Sequence, residues 1–180
     1  MAVKLAKAKQ KIHVIHGETA MTRAIMVTSK GTINLELSDL EAPITVKNFV
    51  DLSNEGFYTN LTFHRVEPGF VIQGGDPKGN GTGGSGRHIQ LEIWAEGDAA
   101  PTIGKTLARG QKPIVKHDTA GVISMARTNE PNSATSQFFI TLDPAPFLDG
   151  NYAAFGITKD VDVVRAIKIG DKILSVSIEA

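Results

Sequence analysis

Apolar residues in this 180-residue chain recur mainly in short runs separated by turn-forming clusters, and this pattern most restricts the possible folds. Such runs cover residues 61–66, 70–73, 121–126, 137–142 and 153–157. Alternating residues also flank a tight turn at 29–32 and continue from Ile173 to the end, which predicts an N-terminal hairpin and a closing strand. Only residues 43–54 and 159–169 have helical spacing. Many short strands with two helices favour an antiparallel sheet or barrel over a βαβ layout.

Glycine is concentrated in one segment, residues 74–86, which holds seven of the eighteen glycines in the chain. Glycine loses more backbone freedom on ordering than any other residue, so this run cannot form a helix interior or a central strand. Its spacing matches neither the dinucleotide-binding pattern nor the P-loop pattern. We therefore interpret it as a loop whose backbone closely approaches a ligand or a neighbouring strand. The long connection 95–116 is typical of a functional or mobile loop.

The charge of the chain is balanced overall but uneven along its length. Nineteen basic and nineteen acidic side chains give a net charge of zero, which argues weakly against a polyanion as the main partner. Residues 1–30 contain six basic side chains and one acidic side chain, so their net charge is +5 and residues 31–180 sum to −5. No long apolar stretch follows the first lysines, which disfavours a secretory signal peptide. We expect a basic, disordered extension over 1–22 and a cytoplasmic domain over 23–180; an organellar targeting helix stays open as the alternative.

Residue types also disfavour several kinds of chemistry. The chain has no cysteine, which excludes disulfides, zinc–thiolate sites and thiol nucleophiles. His13 and His16 form an HxxH pair, but no acidic residue completes a metal triad on one helix face, and the other histidines are scattered. The closest match to a serine-hydrolase elbow, residues 83–86, lies in the glycine-rich loop. No apolar run approaches the roughly 18 residues of a membrane span. We expect no metal and no cofactor.

A more specific pattern combines one arginine with aromatic and amide side chains on strand-like segments. Phe63 and Arg65 would share one face of a strand, as would Val71 and Gln73. Taken alone, this segment favours the simpler interpretation that its aromatic residues are core and its arginine is solvated. The same polar and aromatic pattern returns, however, at residues 136–140.

Several sequence blocks together resemble one family. The blocks are FHRVEPGFVIQGGD (63–76), GTGG (81–84), GVISMART (121–128), NSATSQFFI (132–140) and FLDG…FG (147–156). In this order they resemble the cyclophilin family of peptidyl-prolyl cis-trans isomerases, or rotamases, and SMART with PNSATSQFF looks more like its bacterial single-domain members than its eukaryotic ones. The resemblance covers about residues 23–180. It implies a mainly β fold, a closed eight-stranded antiparallel β-barrel capped by two α-helices, which agrees with the pattern of short strands.

The resemblance also implies an activity. The chain would be an enzyme, a peptidyl-prolyl cis-trans isomerase that accelerates X–Pro bond rotation and acts as a folding chaperone. It would stabilise the transition state without covalent chemistry, metal or cofactor. Its partners would be proline-containing peptides and unfolded proteins, with no nucleic acid and no membrane, and it would be a monomer. A proline-peptide binding module or a chaperone holdase with little turnover is the alternative.

The resemblance further assigns the site residue by residue. The catalytic set would be Arg65, Phe70, Gln73 and Phe139. In this set Arg65 would donate to the prolyl nitrogen, and Gln73 would orient it. The substrate-binding set would be Val71, Gly83, Ala126, Arg127, Gln137, Phe147, Leu148 and Tyr152. Apolar members would hold the proline ring, the backbone at 126 and 127 would bind neighbouring residues, and the loop with Gly83 would receive the residues that precede proline.

Four of these positions depart from the family's most familiar pattern. Val71 stands where many members have methionine, and Arg127 replaces an asparagine that acts mainly through its backbone. Tyr152 replaces a histidine at the rim of the pocket. Phe147 replaces a tryptophan whose indole N–H helps to bind cyclosporin, and phenylalanine cannot donate that bond. We therefore expect reduced cyclosporin affinity with catalysis retained.

Overall fold

The structure is a computed structural model and describes residues 21–180. All but the last two residues of the predicted basic extension, 1–22, lie outside the described residues. In chain order the elements are β1 (Arg23–Thr28), β2 (Gly31–Leu37), α1 (Pro43–Asn54), β3 (Arg65–Glu67), β4 (Val71–Gly74), β5 (Glu92–Ile93), β6 (Thr102–Ile103), β7 (Val122–Met125), β8 (Phe138–Thr141), β9 (Ala154–Thr158), α2 (Val161–Ala166) and β10 (Ile173–Glu179). A 3₁₀-helix, Pro146–Leu148, precedes β9. No helix in the described part is long and apolar enough to cross a bilayer.

Eight strands form one curled antiparallel sheet in the order β10-β1-β2-β9-β7-β8-β4-β3, and β5 pairs with β6 apart from it. The two edges meet through the segment before β3. Thr62 forms a bridge with Lys172, and the N–H of Phe63 donates to the carbonyl of Asp171 at 2.8 Å. The predicted mainly β fold with eight antiparallel strands and two helices is confirmed. The word "closed" slightly overstates it, because a few backbone contacts around one isolated bridge, and not a strand ladder, join the start of β10 to the segment preceding β3.

The predicted N-terminal hairpin is formed by β1 and β2, which pair along their whole length. Gly31 follows the two-residue turn with φ of +129°, a conformation that glycine adopts without the strain a Cβ would cause. The alternating apolar residues of β2 all face the core. In β1 the fully buried residues are Ala24 and Met26, whereas Ile25 and Val27 lie on the more exposed face.

The helix α1 has the bounds that its spacing predicts, and it covers an aromatic core. Phe49 is fully buried, and its ring centroid lies 5.3 Å from that of Tyr58, 6.0 Å from Phe138 and 5.4 Å from Phe155. Because neighbouring residues of a strand face opposite sides of a sheet, Phe138 in the core places Phe139 on the outer face. The core therefore lies inside the curled sheet, and the outer face of β3, β4, β7 and β8 is free to form a site.

Two regions differ from the pattern-based expectation. The helix predicted over 159–169 is shorter, because Ile167 already has extended backbone geometry and Ile169 is exposed. The connection 95–116, expected to lack regular structure, contains β6, which pairs with β5. It is also held by an ion pair between Lys116 and Glu96. Two-residue strands carry no detectable period, so no sequence pattern marks them.

Candidate active site

Arg65 and Gln73 lie opposite each other on β3 and β4 at one edge of the outer face. Nη1 of Arg65 donates to Oε1 of Gln73 at 3.2 Å, and Nε donates to Glu67 at 3.4 Å. The guanidinium carbon lies 5.9 Å from the centre of the Phe70 ring. The expectation that Phe63 shares a face with Arg65 is wrong, since Phe63 is fully buried and β3 begins only at Arg65. The result is a permanently charged donor group exposed beside an aromatic ring.

A chain of amide hydrogen bonds fixes the orientation of Gln73. Its Nε2 donates to Oε1 of Gln137 at 2.9 Å. Nε2 of Gln137 in turn donates to the carbonyl oxygens of Gly81 at 3.0 Å and Gly83 at 2.7 Å. Because the Gln73 amide nitrogen donates to Gln137, the Gln73 amide oxygen is the atom that faces Arg65. Through this chain of hydrogen bonds, the glycine-rich loop positions the Arg65 guanidinium.

An apolar pocket adjoins this polar chain on the outer face of the sheet. Phe139, on β8 directly opposite Gln73, forms its floor. The buried members are Val71, Phe139, Ala145 and Leu148, with Phe70, Ala126 and Tyr152 packed against them. The rings of Phe139 and Tyr152 meet edge to face at 5.8 Å. The pocket has the chemistry to hold a compact aliphatic ring, and Arg65 lies next to it.

A polar groove of about 480 Å³ continues from the pocket over the glycine-rich loop. Its lining includes Gln73, Gly83, Ala126, Arg127 and Gln137. Phe147 lies against Phe70, with 5.5 Å between the ring centroids. Together with the hydrogen bonds, the pocket and the groove described above, this contact connects all twelve site residues that the sequence predicts. Within residues 21–180, no group of three histidine or acidic side chains is placed to hold a metal ion.

The comparison with known families agrees with this geometry. Residues 23–178 match the model of the family described as cyclophilin type peptidyl-prolyl cis-trans isomerase/CLD. The chain belongs to this family of isomerases.

Relatives and solved structures of cyclophilins are similar over most of the chain. A peptidyl-prolyl cis-trans isomerase of Synechococcus elongatus is 47% identical over 161 residues, 88% of this chain and 97% of the relative. A peptidyl-prolyl cis-trans isomerase-like 1 of Aspergillus niger is 42% identical over 73% of this chain and 72% of its own length. A cyclophilin-type isomerase of Cryptosporidium parvum, crystallised in the presence of the dipeptide Ala-Pro, superposes with a TM-score of 0.71 at 32% identity, over 88% of this chain and 99% of that one.

Two of the predicted peptide-binding positions already make contacts within the protein. The N–H of Ala126 donates to the carbonyl of Gln137 at 3.0 Å, so it is not available to a bound peptide. The Arg127 side chain donates to the carbonyl of Asn151 at 2.6 and 3.0 Å, and its guanidinium carbon lies 4.9 Å from the centre of the Tyr152 ring. Arg127 therefore fixes the segment that presents Tyr152 to the pocket.

His117 lies behind the cyclophilin pocket, although its position in the sequence gives no sign of this. Its buried ring stacks on Phe139 with 6.0 Å between centroids. The Asp149 carboxylate, 2.8 Å from Nδ1, can only accept, so Nδ1 carries the proton and Nε2 accepts from the Ser124 hydroxyl at 3.0 Å. Burial lowers the pKa of His117, against the opposing effect of Asp149. A neutral ring held at both nitrogens keeps Phe139 in place.

The Asp76 side chain holds the backbone of the glycine-rich loop in place. This role was not predicted from the sequence. Its buried carboxylate accepts the N–H groups of Lys78 at 2.8 Å, Asn80 at 3.1 Å and Gly81 at 2.6 Å. A Cβ at Gly83 would lie 2.1 Å from Oδ1 of Asp76. Glycine is thus required there because the protein's own carboxylate comes close. The only available signal was the position of Asp76 at the start of the glycine run.

Proposed function

We propose that this cyclophilin accelerates X–Pro rotation by holding the proline ring on Phe139 while Arg65 donates to the prolyl nitrogen. Amide resonance opposes the rotation with a barrier of roughly 18–20 kcal/mol. In the twisted transition state resonance is lost and the nitrogen regains a lone pair. A donor aimed at that nitrogen binds the transition state more tightly than the planar ground state, and this difference lowers the barrier. No nucleophile or metal is needed for such a reaction.

The hydrogen-bonded pair of Arg65 and Gln73 carries this proposal. An arginine cannot lose its charge near neutral pH and offers a rigid fork of donors. The amide chain through Gln73 and Gln137 holds that fork at the pocket edge. Such preorganisation matters because a donor that is already oriented needs no rearrangement when the bond twists.

Proline-containing peptides and unfolded proteins are the proposed substrates. The Cryptosporidium parvum relative was crystallised in the presence of Ala-Pro, which supports a proline in the apolar pocket. The polar groove over Gly83 would then receive the residues that precede proline. The cytoplasmic location, the monomeric state and the reduced cyclosporin affinity stay predictions.

A protease-coupled assay on an Ala-Pro peptide tests the role of Arg65. We expect Arg65→Ala to lower kcat/KM by about 100-fold or more, the usual effect of removing one transition-state donor. Arg65→Lys retains the charge but loses the fork, so it should restore only part of the rate. Arg23→Ala, which removes an exposed arginine from β1, is the matched control and should leave the rate unchanged.

Two results would contradict the proposal. Near-wild-type turnover by Arg65→Ala would show that another group is the donor. A wild-type protein that binds the peptide but leaves the rate at its uncatalysed value would favour the holdase or binding-module alternative. Since Arg65 is exposed, its replacement should leave the melting temperature nearly unchanged, and that measurement separates lost chemistry from lost folding.

A further inference from the structure

A second groove, of about 530 Å³, lies on the outer side of β2, β7 and β9. Its walls are the turn 38–41 and the segment 114–118. Its lining contains four of the eight large hydrophobic residues that are exposed in the described part of the chain, namely Met21, Leu40, Ile114 and Ile157. Scattered exposed hydrophobic residues are ordinary, but a cluster of them in one concavity marks a binding surface.

The rim of this groove is acidic. Glu36, Asp39, Glu41 and Asp118 line it. The lining lysine, Lys116, is already paired with Glu96. Among residues 21–180, Glu36, Glu41 and Asp118 form no ion pair. An apolar floor with unneutralised carboxylates at its edge matches an occupant that combines aliphatic and basic side chains.

Residues 1–20 of the chain have this composition. They contain four lysines, Lys4, Lys7, Lys9 and Lys11, against one acidic residue, Glu18. Aliphatic residues are interspersed with them, namely Val3, Leu5, Ile12, Val14 and Ile15. The segment joins the described domain at Met21, which itself lines the groove. Twenty residues can span up to about 70 Å, so reach does not limit contact with any part of the groove.

We propose that this acidic groove is the binding site of residues 1–20 of the same chain. Residues 1–20 have a net charge of +3 and residues 21–180 have a net charge of −3, so the segment and the domain attract each other. Covalent linkage gives the segment a millimolar effective concentration at a site next to its attachment point, so modest contacts suffice. The inference does not depend on the isomerase mechanism, because no groove residue belongs to the proposed catalytic or substrate-binding sets.

Spin labelling of the full chain tests this binding. The chain has no cysteine, so Ala8→Cys gives one site for a nitroxide. We expect the label to broaden the methyl NMR signals of Ile114 and Ile157 strongly, and reduction of the nitroxide to restore them. In about 0.5 M salt, where charges are screened within a few ångströms, the broadening should fall at least twofold.

Charge-reversed variants identify the contacts. Asp39→Lys with Glu41→Lys should remove most of the broadening, whereas Glu130→Lys with Asp162→Lys makes the same change in net charge elsewhere and should not. Replacing the four lysines of residues 1–20 by glutamate should have the effect of the groove variant, without altering any described residue.

Broadening that is absent, or equal in groove and control variants, would overturn the proposal. A concentration-dependent signal would also overturn it, since that would place a second copy in the groove. An isomerase assay on the same samples reports separately on the catalytic proposal.

Discussion

Asp76 shows how one buried carboxylate can position a catalytic group that it does not touch. It binds the N–H groups of the glycine-rich loop, and the carbonyls of Gly81 and Gly83 in that loop hold Gln137. Gln137 orients Gln73, and Gln73 orients Arg65. Asp76 is therefore a positioning residue, and its loss should affect both the fold and the rate.

We expect Asp76→Ala to lower the free energy of unfolding by about 2 kcal/mol, because three backbone N–H groups of the loop lose a charged acceptor. The rate constant kcat should fall while KM for a short peptide changes little, since the proline pocket itself is intact. Urea unfolding and peptide kinetics at neutral pH measure both effects. Asp143→Ala, at an exposed carboxylate, is the control. A variant with full kcat would contradict the positioning role.

The same carboxylate predicts a pH dependence. Burial by itself raises the pKa of Asp76, but hydrogen bonds from the backbone of 78, 80, 81 and 83 together lower it below its ordinary value of 3.8. The unfolded chain thus binds the proton more tightly, so the stabilisation is complete above pH 3.8 and is lost as the pH falls through the folded-state pKa. Asp76→Asn should unfold with a flatter pH dependence in this acidic window than the wild type. Parallel curves would contradict the assignment.

Phe147 allows a gain-of-function test at the rim of the pocket. The side chain is 68% exposed and lies against Phe70, so a larger ring fits without repacking the core. We expect Phe147→Trp to tighten cyclosporin binding about tenfold, the effect of one added hydrogen bond from the indole N–H. Inhibition of isomerase activity measures this, with Phe147→Tyr as the aromatic control. Equal inhibition of wild type and Phe147→Trp would contradict the prediction.

At the scale of elements, α1 depends on a residue far from it in sequence. The N-cap residue, Ala42, makes no side-chain cap hydrogen bond. Instead Oε2 of Glu92, on β5, accepts the Thr45 N–H at 3.0 Å and the Thr45 hydroxyl at 3.2 Å. Burial raises the pKa of Glu92 above its ordinary 4.5, against the opposing hydrogen bonds of Thr45. The pair β5–β6 therefore brings a carboxyl acceptor to the N-terminus of α1.

Two variants of Glu92 separate the hydrogen bonds from the charge. Glu92→Ala leaves the Thr45 donors without a partner and should cost about 2 kcal/mol of unfolding free energy. Glu92→Gln keeps an acceptor and removes the buried charge, so it should cost clearly less. The folded chain holds the Glu92 proton more tightly than the unfolded chain does. The resulting stabilisation is complete below pH 4.5, and it is lost as the pH rises through the pKa of Glu92 in the folded state. Glu92→Gln should abolish that loss, and denaturant unfolding across this range measures it. Equal costs for both variants would contradict the capping role.

The elements that could be predicted from sequence are those whose signals are local. Pro43 marks the start of α1 and Gly56, at φ of +71°, lies just beyond its end, and both residue types have that effect through their own backbone chemistry. The face of β1 could not be predicted in the same way. β1 lies between β10 and β2 in the sheet, and Ile25 on its outer face is still half-buried. Both faces of β1 therefore carry apolar residues, and only the complete sheet determines that Met26 points inward.

The candidate active site consists of residues that only the tertiary fold brings together. The family resemblance gave the residues around the pocket, but the residues behind them have no motif. His117 and Asp149 lie on different loops, and their hydrogen bond holds the His117 ring against Phe139. A buried histidine with two partners leaves no periodic signal, so its place was unpredictable before the fold was known.

The topology makes the last strand essential for the whole sheet. β10 pairs with β1, the strand next to it in the sheet but at the other end of the described chain, from Arg23 opposite Glu179 to Thr28 opposite Ile173. Ile173 and Val176 of β10 are buried in the main core. Losing both removes about 3–6 kcal/mol of apolar burial, a large part of the 5–15 kcal/mol that stabilises a typical domain.

A chain that ends at Asp171 should therefore fail to fold, whereas a chain that ends at Ile178 should fold normally. The shorter chain loses all of β10, including the contact of Ile173 with the backbone of Asn60 and Leu61 that joins the sheet edges. The longer one loses only two terminal residues, which contribute little. Near-UV circular dichroism and urea unfolding measure the result. A cooperative transition in the chain that ends at Asp171 would show that β1 and β2 are stable without β10. The edge contact around Thr62 would then be unnecessary, and the remaining seven strands would form an independent open sheet.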